Sequence, residues 1–278
     1  MMMMRRLLGL LLLALATPSL AQAARVVAIA PHLSELVCAA GACDQLVGRV
    51  EYSDYPAQVA RLPSVGDAFS LNGEALLALH PDLVVTWQNG TPSSTIAQLD
   101  RLGIRRLDIE IRKLADIESA LIAIGARLGT SATAKTEAAR FHQRIAALSA
   151  QYKAASKLRV FYQIEADPIF TVNRNSPISE AIALCGGDNV FADLPLLAGA
   201  LGREAVLARD PDVVVWGRQD NSAGIEAFWK RWPDAKATRS GNLYAVDADT
   251  LARATPRMAD GVAELCGVMD QARRKTRR

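Results

Sequence analysis

The twelve residues EALLALHPDLVV, 74 to 85, return as EAVLARDPDVVV at 204 to 215. Most positions are identical. Each copy runs from a glutamate through a short helical apolar pattern to a Pro-Asp turn and then an apolar strand. A chain that writes one helix-turn-strand unit twice, so far apart, is expected to build two lobes on the same plan. At 278 residues, half of them hydrophobic, it has enough apolar side chains for two cores of ordinary size.

The first 23 residues stand apart. MMMMRRLLGLLLLALATPSLAQA has a basic start at Arg5 and Arg6, an apolar run from Leu7 to Ala16, and Ala21-Gln22-Ala23 before Ala24, the pattern of a secretory signal peptide. The run is shorter than the about 20 residues a membrane span needs, and no later stretch is long enough. No cysteine follows the run, so no lipid anchor is expected, and the mature chain is expected to be soluble and exported. Without the two leader arginines the formal charge falls from +3 to +1. Five positive charges lie in the terminal RRKTRR, read as a frayed basic tail over 272–278, and the body between carries about −4. No basic face is left for nucleic acid.

Four cysteines in an exported chain are most simply two disulfides, although four allow three connectivities. Cys38 and Cys43 are close enough to clip a helix end to the turn after it, and Cys185 and Cys266 then close a long loop. A zinc site would need tighter spacing or histidine partners, and His32, His80 and His142 are scattered singly.

Short apolar strands alternate with helices. Strands are expected at Val26–Ile29, Leu83–Trp87 and Ile104–Ile109. A helix capped by Ser34 ends near Gly41, and others lie at Leu76–Leu79, Thr95–Leu102 and Asp116–Leu128. Residues 131–156 contain no Gly or Pro and space Ala138, Phe141, Ile145, Leu148 and Tyr152 by three and four, which predicts one long amphipathic helix. The alternation then restarts with a strand at Leu158–Ile164, helices at Ile178–Leu184 and near Ile225–Lys230, a strand at Leu243–Val246 and a last helix from Pro256. The expected fold is α/β, with Rossmann-like lobes over 24–130 and 157–271, mainly parallel sheets, and a single helical strut between them. Ligands of such folds lie outside the carboxyl ends of the strands, which makes Tyr52, Trp87, Phe170 and the stretch Asp247–Arg253 candidates.

VVAIAPHLSELVCAAG, the Pro-Asp phrase and the single long helix together resemble the periplasmic substrate-binding proteins of ABC importers for cobalamin, haem and ferric siderophores. The resemblance runs from Arg25 to Gln271. EYSDYPAQ, LHPDLVVTW, RVFYQI, CGGDNVF and REAVLARDPD are most similar to the cobalamin binders. It implies a monomeric periplasmic protein with no cofactor of its own that binds cobalamin or a related corrinoid and passes it to a permease dimer in the inner membrane. It further implies that Tyr52, Trp87 and Phe170 contact the corrin ring, that Asp249 and Arg253 meet its rim amides, and that Glu74 and Glu204 grip the two permease subunits. Where cobalamin binders tend to carry tryptophan, this chain has Ala68, Ala198 and Thr250, with Phe69 replacing one ring.

Two other readings stand beside this one. Haem would need an axial ligand, for which His32, Tyr52 and Tyr55 are candidates, and a carboxylate siderophore would need an arginine cluster begun by Arg253 and Arg257. A glycosyltransferase-like enzyme shares the two-lobed plan. However, APHLSE lacks a glycine-rich phosphate loop, no G-x-S-x-G elbow is present, and Asp54 and Asp67 are the sole acid and base candidates.

Overall fold

The computed structural model describes residues 24–218 and 222–276, so the signal peptide expected over 1–23 lies outside the described residues. The first lobe runs β1 (Val26–Ala28), α1 (Pro31–Val37), β2 (Leu46–Arg49), α2 (Gly73–Ala78), β3 (Leu83–Trp87), α3 (Ser93–Arg101), β4 (Arg106–Ile109) and α4 (Leu114–Leu128). The strut is α5 (Ser131–Tyr152). The second lobe follows with β5 (Leu158–Gln163), β6 (Glu165–Ala166), β7 (Ile169–Val172), α6 (Pro177–Leu184), β8 (Gly187–Asn189), β9 (Ala198–Leu201), α7 (Arg203–Arg209) and β10 (Val213–Arg218). It ends with α8 (Ser222–Lys230), α9 (Lys236–Arg239), β11 (Leu243–Asp247), α10 (Ala248–Leu251) and α11 (Met258–Thr276).

Each lobe is built on one four-stranded parallel sheet, in the orders β2-β1-β3-β4 and β11-β10-β5-β8. The two orders match when β5 is set on β1 and β10 on β3, so the lobes repeat each other. Strands buried on both faces read as unbroken apolar runs, and the period of two decides which face each residue serves. Val26 and Ala28 of β1 join the same core as Leu158, Val160 and Tyr162 of β5, whereas Val27 and Phe161 point to the opposite faces. The shared core is continuous through both lobes and the strut, and includes Leu33, Ile117, Leu121, Phe141, Ile182 and Leu265.

The repeated phrase is α2 with β3 in one lobe and α7 with β10 in the other, and its Pro-Asp has a structural task. Asp82 accepts a hydrogen bond from the Arg25 amide at 2.8 Å, and Asp212 accepts the equivalent bond from the Arg159 amide at 2.8 Å. In return the Arg25 guanidinium donates to the Leu79 carbonyl, and that of Arg159 to the Arg209 carbonyl, satisfying the open end of each phrase helix. His80 and Asp210, at equivalent places before the proline, both turn through the left-handed region with φ of 46° and 40°. The phrase is therefore a clamp that ties the start of a central strand to the helix beside it.

The strut is shorter than the sequence implies. It ends at Tyr152 rather than at 156, because the chain turns at 153–154 to enter β5, and its 22 residues span about 33 Å. Ala134, Ala138 and Phe141 are buried, with Ile145, Leu148 and Tyr152 packed against the same core. Ser34 does not cap a helix. α1 starts at Pro31 after Ala30, and Ser34 lies buried inside it. The chain leaves α1 through Gly41, whose φ of 88° is open to glycine and strained for other residues, and whose α-carbon faces Thr133 of the strut. The basic tail expected over 272–278 is also corrected for 272–276, while 277 and 278 lie outside the described residues. α11 continues to Thr276, Ala272 is fully buried, and Arg273 donates to the carbonyls of Ser156, Cys185 and Gly186. Carbonyls at the end of α6 and before β5 thus find a donor in this arginine.

Both disulfides are present, Cys38–Cys43 and Cys185–Cys266, the second fastening α11 to the end of α6. The small antiparallel sheet β6-β7-β9 was not expected. It interrupts the second lobe after β5 and has no counterpart in the first.

The clamp gives a direct expectation. Asp82→Ala and Asp212→Ala should each lower stability by about 1 to 2 kcal/mol in urea unfolding, the cost of a charge-assisted bond to an amide. The Asp212 change should cost more, since its carboxylate is less exposed and also pairs with Lys236 at 2.5 Å. Equal stability of both variants with the parent would remove the clamp.

Candidate ligand-binding cleft

The carboxyl ends of the two parallel sheets face each other across a cavity of about 360 Å³. His32, at the start of α1 just after β1, Trp87 at the end of β3 and Ile111 after β4 line it from the first lobe. Tyr162 and Ile164 at the end of β5, Gly217 in β10 and the segment around α10 line it from the second. These are equivalent places in the two repeats. The walls are largely apolar, with Val172, Ile178, Leu251 and Met258 completing them. Gly217 is required here, since a β-carbon would lie 2.8 Å from Ala248 and push α10 inward.

Two polar rings face this apolar space. The His32 ring meets Trp87 edge to face, with centroids 5.1 Å apart and planes at 84°. Burial lowers its pKa from 6.5 to about 4, helped by the charge of Arg253, so the imidazole is neutral at ordinary pH. Burial likewise pushes the Tyr162 phenol up to about 12. Trp87 is held by a tight turn in which Gly90 and Thr91 both donate to its carbonyl, and Gly90 lies against its indole.

One edge of the cleft is crossed by an ion-pair network. Glu35 of α1 is only 3% exposed and accepts from Arg257 at 2.6 and 3.0 Å and from Arg253 at 3.2 Å. Arg253 also pairs with Asp54 of the first lobe and, at 2.9 Å, with Asp249. Its hydrogen bond to Asp54 holds that carboxyl below the usual carboxylate range. The Arg257 guanidinium covers the Tyr55 ring at 3.8 Å. Asp249 and Arg253, assigned by resemblance to rim amides, are thus committed to each other and to the opposite lobe. Asp54 serves in this tie, and Asp67 accepts from the amides of Phe69 and Ser70 at 2.7 Å in a turn.

Of the expected aromatic residues, Trp87 lines the cavity, and Tyr52, Phe69 and Phe170 are not among its walls. Tyr52 and Phe69 are 77% and 79% exposed, on loops joined by the bond from the Glu51 amide to the Gly66 carbonyl at 2.8 Å. The Tyr52 carbonyl accepts from Arg253 at 3.4 Å, which sets that loop at the cleft edge. Tyr52 has a φ of 62°, an uncommon conformation for a residue with a side chain. Phe170 shares a face of β7 with Val172, a cavity residue, and is paired with Ala200 of β9. Ala198 lies on the cavity wall. Ala68 is next to Phe69, and Thr250 donates its amide to Asp247. Glu74 and Glu204 are the second residues of α2 and α7, exposed and without an ion pair to any described residue.

Sequence reasoning missed Ile111, Ile164, Tyr162 and Glu35. The first two follow strand ends and the same rule that selected Trp87 reaches them. Glu35 carries no such signal, because its partners are more than 200 residues away.

The buried imidazole implies a pH dependence. Its folded pKa of about 4 lies below the ordinary histidine value of 6.5, so the unfolded chain binds this proton first and stability falls as pH drops from about 6.5 towards 4. Thermal unfolding at pH 7, 5.5 and 4.5 should show the loss, and His32→Gln should make the curve flatter in that window. An unchanged slope in the variant would assign the loss to other groups.

The comparisons with known proteins agree with this geometry. The family described as periplasmic binding protein matches residues 26–250. A vitamin B12-binding protein of Vibrio cholerae serotype O1 is 33% identical over 264 residues, covering 93% of this chain and 95% of its own. Another, from Pectobacterium carotovorum subsp. carotovorum, is 31% identical over 257 residues, covering 91% of each. Among solved structures, the periplasmic vitamin B12 binding protein of Vibrio cholerae superposes with a TM-score of 0.83 at 33% identity, covering 90% of this chain and 98% of that one. A periplasmic heme binding protein from Pseudomonas aeruginosa gives 0.75 at 27% identity, covering 88% and 91%. A family match over this length, on two repeated lobes with a cleft at their strand ends, means that the chain belongs to the periplasmic binding proteins.

Proposed function

We propose that this protein captures cobalamin or a related corrinoid in the periplasm and delivers it to the permease dimer of an ABC importer. The observation that supports this best is the cleft itself. A flat, wide macrocycle with apolar faces and polar rim groups matches an apolar floor walled by Trp87, Ile111, Val172 and Leu251, to which the exposed rings of Tyr52 and Phe69 and the half-buried Phe170 would add contacts. The cavity alone is too small for a whole corrinoid, so the ring would lie across the mouth with one face turned inward. The similarity to vitamin B12-binding proteins over nearly the whole chain points the same way.

Haem is the second reading, favoured by the neutral His32 in the cavity and by the heme-binding relative. Titrations with cyanocobalamin and with hemin separate the two. Saturable binding of cyanocobalamin is expected, and loss of each of Tyr52, Trp87 and Phe170 to alanine should weaken it by on the order of 1 to 3 kcal/mol. If all three rings can be removed without changing cyanocobalamin affinity, the ligand or its place is another.

Delivery rests on Glu74 and Glu204. One copy of the phrase per lobe places one glutamate at the head of each phrase helix, on the outer surface of equivalent repeats, and both are free of ion pairs with described residues. A permease with two equivalent subunits needs two equivalent contacts. Because rim charges act on docking and leave the cleft alone, Glu74→Arg with Glu204→Arg should keep ligand affinity and abolish uptake, with partial loss in each single variant. Wild-type uptake by the double variant would refute this.

A further inference from the structure

The Tyr52 ring is 77% exposed, so packing does little to fix it and its position follows from its backbone. That backbone lies in the left-handed region, at a φ of 62°, where a residue with a β-carbon stays only if its surroundings hold it. The first lobe ties the segment 51–58 at both ends. The Glu51 amide donates to the Gly66 carbonyl at 2.8 Å, and the Gln58 side chain donates to the Cys43 sulfur at 2.8 Å. Between these ends the second lobe takes hold. Arg253 donates to Asp54 at 2.5 Å and to the Tyr52 carbonyl at 3.4 Å, and the Arg257 guanidinium lies over the Tyr55 ring at 3.8 Å.

Both arginines depend on Glu35. Asp54 and Asp249, the other carboxylates on Arg253, are 56% and 52% exposed, and pairs with such groups contribute little in water. Glu35 is 3% exposed, and its Oε1 accepts from both Arg253 and Arg257 while its Oε2 accepts from Arg257. One buried carboxylate thus lies between two guanidinium groups that repel each other without it. Stripped of that charge, Arg253 is pushed away from Arg257 and keeps Asp249, at 2.9 Å in its own lobe, as a partner that makes no demand on the first lobe. Its long bond to the Tyr52 carbonyl is then the first to go. Glu35 lines, with Tyr55, Pro56 and Arg257, a separate cavity of about 300 Å³ and is not a wall of the main one, so it acts on the ligand site through others. We infer that Glu35 is a positioning residue for the ligand site: through Arg253 and Arg257 it fixes the segment 51–56 of the first lobe against the second and so holds the Tyr52 ring ready for the macrocycle. This rests on the reading of Tyr52 as a ring that meets the ligand.

Hydrogen exchange of the ligand-free mature protein reads the hold directly. In Glu35→Gln, of equal size and uncharged, the Glu51 and Ser53 amides should exchange about tenfold faster, with the amides of β1 and α5 unchanged. Cyanocobalamin affinity should fall by about tenfold. A merely structural role would lower affinity whether or not residue 52 carries a ring. The same substitution in a Tyr52→Ala background should instead cost less than about twofold. Asp54→Asn, at an exposed position, should show the same pattern at smaller size, and it carries the test if Glu35→Gln does not fold. Unchanged exchange in the variants, or the full loss of affinity in the Tyr52→Ala background, overturns the inference and leaves the binding reading standing. If the parent binds hemin and not cyanocobalamin, the corrinoid reading falls and the same cycle, run with hemin, decides the role of Glu35. A parent that binds neither rejects both.

Discussion

The hydrophobic core does not stop at the boundary between the lobes. The inner faces of β1 and β3 and those of β5 and β10 belong to one cluster of buried residues, with α4, α5, α6 and α11 filling the space between. Two sheets that share a core cannot swing apart without opening apolar surface to water, at roughly 25 cal/mol per Å² exposed. A continuous helix also resists bending, because its backbone bonds must break. The continuous core and the strut therefore both oppose relative motion of the two walls of the cleft.

That rigidity gives the ion-pair network its place. Glu35 is a nearly inaccessible carboxylate and would be very unfavourable alone, but two guanidinium groups from the opposite lobe surround it. Removal of one partner from such a cluster costs more than the pair contributes, so the network acts as a register mark between lobes. Arg253 is central to it, touching Glu35, Asp54 and Asp249 together. A residue so engaged positions the Tyr52 loop, whose carbonyl it also holds. The tie and the aromatic rim are in this way one construction.

The lobes repeat in their frames and differ in their additions. The phrase clamp appears in both, down to matching left-handed residues and matching aspartate-to-amide bonds. The antiparallel sheet β6-β7-β9 exists only in the second lobe, and it carries Val172 and Ala198 to the cleft. The repeat thus extends to the scaffold, and the asymmetry of the cleft comes from the segments between β5 and α6 and around β9 that only the second lobe has.

The sequence alone determined the scaffold. The doubled phrase implied two lobes, the apolar runs implied parallel strands buried on both faces, and the break-free stretch after Ser131 implied the strut. These are local signals, carried by periodicity and by turn residues, and a single chain displays them directly. Trp87 was legible for the same reason, at the end of a strand. Tertiary structure decided what local pattern cannot encode. Glu35 reads as an exposed residue of an amphipathic helix until Arg253 and Arg257 arrive from over 200 residues away. Arg273 reads as part of a frayed tail until the carbonyls of Ser156, before β5, and of Cys185 and Gly186, at the end of α6, are seen to accept from it. Even the clamp that explains Pro-Asp needed Arg25 and Arg159, each paired across more than 50 residues. Burial makes such pairs necessary, since a buried charge or carbonyl must find a partner wherever the fold places one.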